Sequence, residues 1–488
     1  MALSSSAQLG LDRGMSTTAI RRHSSQLTAS DALLWDIESD PCLRTTIVAI
    51  SLLDRSPDWR RLKKRMSEVC DAVPRLHQRV VETPLRLGPP QWHTVENLDL
   101  SYHLRRVRAA GSADLREVLD IAGPIAMSAF DKDRPLWEFT LVEGLTGGRA
   151  ALIQKIHHCL TDGVGAVTLA QLLLDTQRGP SRRSPARLDD AGPTGHGAAA
   201  SLFDSLSSDA RLLVSTPWHA ALAMPSLTAR SLRNPVASLT TTAAGLRSIG
   251  KLLAPVTKPL SPVMTERGLS RRLDSFDIPI AQLRDAAHSA DGTVNDAFLA
   301  GIAGGMRRYH DRHGARVDEL RVTMPINIRK PGDLAGSNHF VPARFTMPMS
   351  AAPVGDRMRE LGALAKGWRR EPALPLADAI AAVLTRLPRT ATVSVFGGML
   401  KAIDFVATNV PGLQQRAYLA GAEVVRQYAF APPSGAALSI ALLSHLDQCC
   451  IGINIDTAAV PDPEVMTLCL REGFAEVVAW GASTCAIA

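Results

Sequence analysis

The segment that most constrains the fold is HHCLTDG, from His157 to Gly163, because it joins two apolar runs of different length. The run before it, AALIQKI, predicts a buried strand, and the run after it, VGAVTLAQLLL, is long enough to predict a helix. The segment therefore lies at a strand-to-helix turn. Adjacent residues on a strand point to opposite faces, so we expect His157 and His158 to have different roles. One of them should face a site, and the other should brace the backbone.

This pair of histidines suits general-base chemistry on a hydroxyl. Neutral imidazole has an ordinary pKa of about 6.5, so it can take an alcohol proton while the oxygen attacks an activated acyl group. We expect Asp162 and Gly163 to shape the turn, with Asp162 capping the helix or pairing with a buried arginine.

Three other interpretations of the segment stay open at this point. The two histidines could be hydrogen-bonded core residues. They could ligate a metal with Asp162, although the chain has no second Cys/His cluster and no HExxH pattern. Cys159, beside the pair, could be a nucleophile.

The segment resembles the HHxxxDG signature of CoA-dependent acyltransferases of the chloramphenicol-acetyltransferase type, which peptide-synthetase condensation domains share. Other segments resemble the bacterial wax ester synthase/diacylglycerol acyltransferase family and follow one another along the chain. They are LTASDALLWDIESD (residues 27–40), DRPLWE (133–138), TVNDAFLA (293–300), TNVPG (408–412) and GINID (452–456). The resemblance runs from about Leu27 to near the C-terminus, apart from the middle of the chain.

The resemblance implies an α+β protein made of two chloramphenicol-acetyltransferase-like domains with mixed sheets. It also implies an active-site tunnel between the domains that leads to the histidine. His158 matches the second histidine of the family motif and would be the general base. His157, Asp162 and Gly163 would support the motif, and no metal is expected.

Asn295 and Asp296 match the family's Asn-Asp motif at the start of a helix. For these two residues a helix cap and a role in the site are equal alternatives. Thr408, in the TNVPG segment, could donate to an oxyanion, but a turn beside Asn409 and Pro411 is the favoured interpretation.

The implied reaction transfers a long-chain fatty acyl group from acyl-CoA to diacylglycerol, giving triacylglycerol. Fatty alcohols, which would give wax esters, are a possible second class of acceptor. Acyl-CoA is the co-substrate, and no cofactor is expected. One alternative is an acyltransferase for a complex lipid alcohol or a carrier-bound acyl group. Another is a catalytically inactive relative that binds lipid surfaces.

Composition is that of a large globular protein. The chain has 488 residues, of which 46% are hydrophobic and 21% charged, which is enough for two domains with ample cores. No stretch of about 18 uncharged apolar residues predicts a transmembrane helix. The seven cysteines lack CxxC spacing, which favours reduced thiols. We expect a cytoplasmic protein, with peripheral attachment to the inner membrane face or to lipid droplets as an alternative.

Four regions are expected along the chain. Residues 1–26 are polar and Ser-rich and predict a disordered extension. Residues 27–176 form the N-terminal acyltransferase domain with the histidine motif, and residues 271–488 form the C-terminal acyltransferase domain. Residues 177–270 form a linker that begins with Pro, Gly and charged residues and becomes basic and amphipathic.

The basic part of the linker runs from Arg211 to Thr265 and contains no Asp or Glu. Apolar patches lie between its basic residues, which is typical of segments that bind an anionic membrane or a lipid-droplet surface. A solvated crossover linker is an equal alternative. Nucleic acid is not an expected partner, because the net charge of +7 is modest for this length and no recognition motif accompanies it.

Overall fold

The computed structural model describes residues 26–84, 88–160, 169, 172–179, 256–327, 340–369, 381–382 and 384–485. Two mixed six-stranded sheets with helices against them confirm the predicted α+β class. Several predictions concern residues outside this range: the extension up to residue 25, Asp162, Gly163, most of the helix after the motif, and linker residues 180–255.

The first sheet carries the histidine motif at the end of one strand. Its strands are β1 (Thr46–Leu53), β4 (Leu104–Arg108), β5 (Trp137–Leu145), β6 (Arg149–His157), β11 (Tyr418–Leu419) and β12 (Ala422–Phe430). Their order is β11-β12-β1-β6-β5-β4, and only β4 and β5 pair in parallel. A separate ribbon pairs β2 (Gln78–Val81) with β3 (Gln91–Thr94).

Four helices belong to the same half of the chain: α1 (Ala29–Ile37), α2 (Trp59–Ala72), α3 (Leu100–His103) and α4 (Leu115–Met127). Side chains that accept backbone N–H groups begin each of them. Thr28 caps α1, Asp58 caps α2, and Asp114 caps α4. These caps satisfy donors that have no partner inside the helix and so fix where each helix begins.

The second sheet lies in the C-terminal half. Its strands are β7 (Arg271–Pro279), β8 (Glu319–Asn327), β9 (Phe340–Pro348), β10 (Phe405–Val410), β13 (Leu438–His445) and β14 (Gln448–Asp456). The strand order is β7-β14-β13-β10-β8-β9. The helices of this half are α5 (Ile280–Ser289), α6 (Val294–Arg312), α7 (Val354–Arg369), α8 (Arg389–Lys401) and α9 (Pro463–Cys485).

Two strands from the C-terminal half complete the first sheet rather than the second. The strand β12 pairs antiparallel with β1, from Val48 opposite Phe430 to Leu53 opposite Val424. A core between the halves results, in which Ile50 and Leu119 pack in the same cluster as Phe430. The two halves are therefore joined by a continuous hydrogen-bonded sheet as well as by packed side chains.

The helix α1 also connects the two halves, because it packs against α8. Asp36 of α1 lies 3.1 Å from the guanidinium of Arg389, which begins α8. Leu33 and Ile37 of α1 are buried in a small apolar cluster with Ala381. This contact fixes the position of the segment that follows α1, which enters the candidate site.

The end of the predicted linker is packed into the C-terminal half. The buried carboxylate of Asp404 accepts the N–H groups of Leu260 and Ser261, at 3.1 and 2.9 Å. The Ser261 hydroxyl lies 2.8 Å from Nε2 of His310, and Met264 is fully buried. Residues 260–264 therefore belong to the core of this half and not to a solvated connection.

Within the described part of the chain, none of the helices is both long enough and apolar enough to span a bilayer.

The contact between β14 and the crossing strand β12 requires a glycine, and this gives a test of the fold. A Cβ at Gly452 would lie 2.1 Å from the carbonyl oxygen of Ala429. We expect Gly452→Ala to force the strands apart and lower the free energy of unfolding by about 2 kcal/mol or more. Urea unfolding followed by tryptophan fluorescence measures the change.

Gly398→Ala is the matched control, since Gly398 lies in α8 and a Cβ there would meet nothing within 4 Å. Alanine is the better helix former, so we expect equal or greater stability, by up to about 1 kcal/mol. Equal unfolding midpoints for Gly452→Ala and wild type would contradict the close approach of β12 and β14.

Candidate active site

The histidine pair lies where β6 ends, as the sequence predicts. His157 is the last residue of β6 and pairs with Thr46 of β1. The N–H of His158 donates to the carbonyl oxygen of Thr45 at 3.1 Å, and the N–H of Leu160 donates to the carbonyl of His157 at 3.0 Å. These bonds fix the backbone on both sides of His158, whose side chain is half-buried.

His157 is buried and held on every side. Its ring is 1% exposed, and the N–H of Cys159 donates to its Nδ1 at 3.0 Å. An Nδ1 that accepts a hydrogen bond carries no proton, so the ring proton lies on Nε2. Nε2 lies 2.9 Å from Oε1 of Glu38. The rings of Trp35 and Phe130 contact the imidazole edge-on, each with centroids 5.8 Å apart.

Glu38, which follows α1, is a charged residue of this site that the sequence did not predict. Its Oε1 accepts the N–H and the hydroxyl of Thr45 at 2.6 and 2.7 Å, besides facing His157. Burial opposes ionisation, but the His157 ring and the Thr45 donors outweigh it and lower the pKa of Glu38 to about 2. The only signal in the sequence is an acidic residue after an apolar helix, in the segment WDIESD.

A small cleft lies between the two halves, close to the backbone that holds His158. Arg44 and Thr46, the neighbours of Thr45, line it from the first half. Leu269, Arg271 and Asn454 are among the residues that line it from the second half. A cleft between the halves of a protein is a common place for a ligand site. Whether it extends into a tunnel stays a prediction.

Cys159 has the wrong surroundings for a nucleophile. Its side chain is buried, and its thiol contacts the carbonyl oxygen of Asp31 at 3.4 Å. Burial, together with the carboxylates of Asp31 and Glu38, raises the pKa of the thiol well above its ordinary value. A reactive cysteine needs the opposite shift, toward the thiolate.

Asp296 caps a helix, the first of the two alternatives for this residue. Thr293 and Asp296 form a reciprocal capping box at the start of α6, in which the Asp296 carboxylate accepts the N–H of Thr293 at 2.8 Å. The carboxylate also packs closely against Gly362 of α7. Asn295 precedes it, and in the described part of the chain its buried Nδ2 has no hydrogen-bond partner.

Thr408 is not in a turn, contrary to the favoured interpretation. It lies inside β10, paired with Ala441 of the neighbouring parallel strand β13. The turn residues of TNVPG begin only after Val410, because the hydrogen bonds to β13 extend β10 to that residue.

Asp162 and Gly163 lie outside the described residues. Among the residues described, no group of three or more His, Cys, Asp or Glu side chains could hold a metal ion.

The two mixed sheets and the histidine motif at the end of β6 fit the fold that the sequence resemblance implies. Residues 27–298 match the wax ester synthase/diacylglycerol acyltransferase catalytic domain, and residues 337–477 match the WS/DGAT C-terminal domain. Since the first match alone covers more than half of the chain, the protein belongs to the wax ester synthase/diacylglycerol acyltransferase family.

Similar proteins agree with this assignment. A Mycobacterium tuberculosis H37Rv protein, provisionally named a diacylglycerol O-acyltransferase, is 35% identical over 461 residues, covering 94% of this chain and 92% of its own. The wax ester synthase/diacylglycerol acyltransferase from Marinobacter aquaeolei VT8 has a similar structure, with a TM-score of 0.61 and 21% identity over 94% of this chain and 100% of its own. The first condensation domain of the calcium-dependent antibiotic synthetase gives 0.58 at 15% identity, covering 94% and 96%. These structural likenesses show the fold.

The Glu38 contact predicts a pH-dependent effect on stability. The pKa of Glu38 is lower in the folded protein than the value of about 4.3 expected when unfolded, so its stabilising effect is complete above pH 5 and declines as the pH falls toward 2. We expect Glu38→Gln to lower the free energy of unfolding at pH 6 by about 2 kcal/mol, and the difference from wild type to shrink between pH 5 and pH 3. Urea unfolding at a series of pH values measures it.

The control is Glu464→Gln, which changes a largely exposed carboxylate at the start of α9. We expect a much smaller effect from this variant, because exposed ion pairs contribute about 1 kcal/mol or less. A Glu38→Gln difference that stays constant from pH 6 to pH 3 would mean that Glu38 is not ionised beside His157.

Proposed function

We propose that the protein is an O-acyltransferase that moves a long-chain acyl group from acyl-CoA to the hydroxyl of diacylglycerol, with fatty alcohols as a second class of acceptor. His158 is the general base in this proposal. Asp162 and Gly163 shape the turn that follows it, and Asp296 with Asn295 supports the motif only by beginning α6.

The observation that carries the proposal is that each ring nitrogen of His157 already faces a polar partner within the protein. Nδ1 accepts the N–H of Cys159, and Nε2 faces Glu38 at 2.9 Å. A base needs an available lone pair, and that of His157 is already used. The half-buried His158, whose N–H is held by Thr45 between the cleft-lining residues Arg44 and Thr46, is therefore the better candidate for proton transfer.

The chemical step needs one base and two bound substrates. His158 takes the hydroxyl proton of the acceptor as the hydroxyl oxygen attacks the thioester carbonyl carbon. The tetrahedral intermediate then collapses with cleavage of the carbon–sulfur bond, and the CoA thiolate receives the proton from the imidazolium. Holding both substrates in one cleft supplies much of the acceleration, and a covalent acyl-enzyme is not required.

The choice of acceptor rests on the relatives. The Mycobacterium tuberculosis protein at 35% identity carries a diacylglycerol O-acyltransferase name, and the family description joins wax ester synthesis to that activity. The acceptor is therefore tested directly, with diacylglycerol and a fatty alcohol side by side.

Turnover by the purified protein tests the proposed reaction. We expect purified protein given palmitoyl-CoA to release CoA only when diacylglycerol or hexadecanol is present, and His158→Ala to reduce this release by about 100-fold or more. His288→Ala, at an exposed position on α5, is the matched control and should behave as wild type. Thiol titration of the released CoA, with thin-layer chromatography of the product, measures both quantities.

Cys159→Ala separates the two mechanisms in the same assay. It should keep most of the activity, since Cys159 contributes only packing to the proposed reaction. Acyl groups trapped covalently on Cys159 would replace the histidine mechanism by a cysteine one. Absence of release with every acceptor, from folded protein, would favour a carrier-bound donor or an inactive lipid-binding relative.

We also propose that the protein is cytoplasmic and attaches peripherally to an anionic lipid surface through the basic segment. The composition of residues 211–255, which include five Lys and Arg residues and no Asp or Glu, supports this proposal. Each basic residue near an anionic surface contributes about 1 kcal/mol.

Replacing the five basic residues by Gln keeps the length of the segment and should weaken binding at least about 10-fold. The replaced residues are Arg211, Arg230, Arg233, Arg247 and Lys251. Flotation with vesicles containing 30% phosphatidylglycerol measures binding, and pure phosphatidylcholine vesicles are the control. Equal flotation of wild type and the Gln variant would leave the segment as a linker.

A further inference from the structure

Lys155 is a fully buried charged residue that the proposed mechanism does not use. It lies on β6 two residues before His157, and its side chain is 0% exposed. Lys155 pairs with Val48 of β1, and His157 pairs with Thr46. Because side chains two residues apart on a strand share a face, Lys155 and His157 point to the same side of the sheet.

The ammonium group of Lys155 is held in one position by three contacts. Nζ donates to the hydroxyl of Ser128 at 2.9 Å and to Oε1 of Glu138 at 3.3 Å. It also lies 4.1 Å from the ring centroid of Phe130, a cation–π distance. Three N–H donors meeting two oxygens and one ring leave the side chain no freedom to rotate.

One of these contacts reaches a segment without regular structure. Ser128 ends α4, where its N–H donates to the carbonyl of Pro124, but Phe130 lies between α4 and β5, so neither a helix nor a strand ladder fixes its position. Phe130 in turn packs edge-on against the imidazole of His157, at 5.8 Å and 68°. Lys155 therefore connects the sheet to the ring that forms one wall around His157.

We propose that Lys155 is a positioning residue for the histidine pair. Its ammonium fixes Phe130 against His157, and His157 fixes the backbone from which His158 projects. The effect on turnover rests on the proposed acyl transfer, while the effect on the His157 ring does not. A buried ion pair that served stability alone would leave both the ring and the rate constant of the folded enzyme unchanged.

The test compares Lys155→Met with Phe130→Leu and with the double variant. Met keeps the length of the side chain and removes the charge, and Leu keeps an apolar group and removes the ring. We expect each single change to lower kcat about 10- to 100-fold, with KM for palmitoyl-CoA within about 2-fold of wild type. Because both residues act through one contact, the double variant should lose little more than either single one. Lys64→Met, on the exposed face of α2, is the matched control.

A spectroscopic measurement accompanies the kinetics. The ¹⁵N shifts of the imidazoles report the tautomer of each histidine, and His157→Gln identifies the signals of His157. In wild type we expect a protonated Nε2 and an unprotonated Nδ1 on His157, and in Lys155→Met a shift or doubling of these signals.

The outcomes distinguish the two proposals. If wild type shows no acyl transfer, the proposed function fails, and the ring signals alone decide the role of Lys155. Unchanged ring signals in folded Lys155→Met, or a double variant whose losses simply multiply, would overturn the inference. If Lys155→Met does not fold, the result for Phe130→Leu decides whether the inference holds, because this variant keeps both hydrogen bonds of Lys155 and removes the ring that lies between Lys155 and His157.

Discussion

One oxygen of the buried carboxylate of Glu38 accepts the N–H and the hydroxyl of Thr45 and lies 2.9 Å from Nε2 of His157. This contact joins the segment after α1 to the ends of β1 and β6. Removing any one donor would leave a charged group in a site with little water, which costs more than the lost bond alone. The conformation of the histidine pair, and with it the position of His158, depends on this arrangement.

The two halves of the protein meet around that contact. The helix α1 leads directly to Glu38 and is held from the C-terminal half by Arg389 of α8. The strand β1, whose first residues pair with the end of β6, is bordered on its other edge by β12 of the C-terminal half. The site thus belongs to neither half alone, because its supports come from both. Separate folding of residues 27–176 would leave an edge of β1 unpaired and one face of α1 uncovered.

The sequence predicts the local elements closely and the distant contacts poorly. The strand AALIQKI, predicted before the motif, lies within β6, which extends it by one residue at each end. Apolar periodicity is a local property, so it carries this information. Which sheet β12 joins depends on residues more than 350 positions away, and Glu38 reaches His157 across more than 100 positions. Neither pairing leaves a pattern in a single sequence. The wrong prediction of a turn at Thr408 has the same origin, because pairing with the parallel strand β13 extends β10.

The histidine pair also shows how one site can meet two opposed requirements. A general base has to be held in position and yet keep a nitrogen lone pair available for the substrate. One side chain meets both only with difficulty, because each bond that fixes an imidazole uses one of its two nitrogens. In this protein the fixing bonds fall on His157, through Cys159 and Glu38, and its neighbour is held through the backbone, by the carbonyl of Thr45. In the proposed mechanism the ring of His158 then supplies the reactive nitrogen, and His157 supplies the fixed neighbour. Two adjacent histidines thereby divide rigidity and reactivity between them, and this division accounts for the double histidine in physical terms.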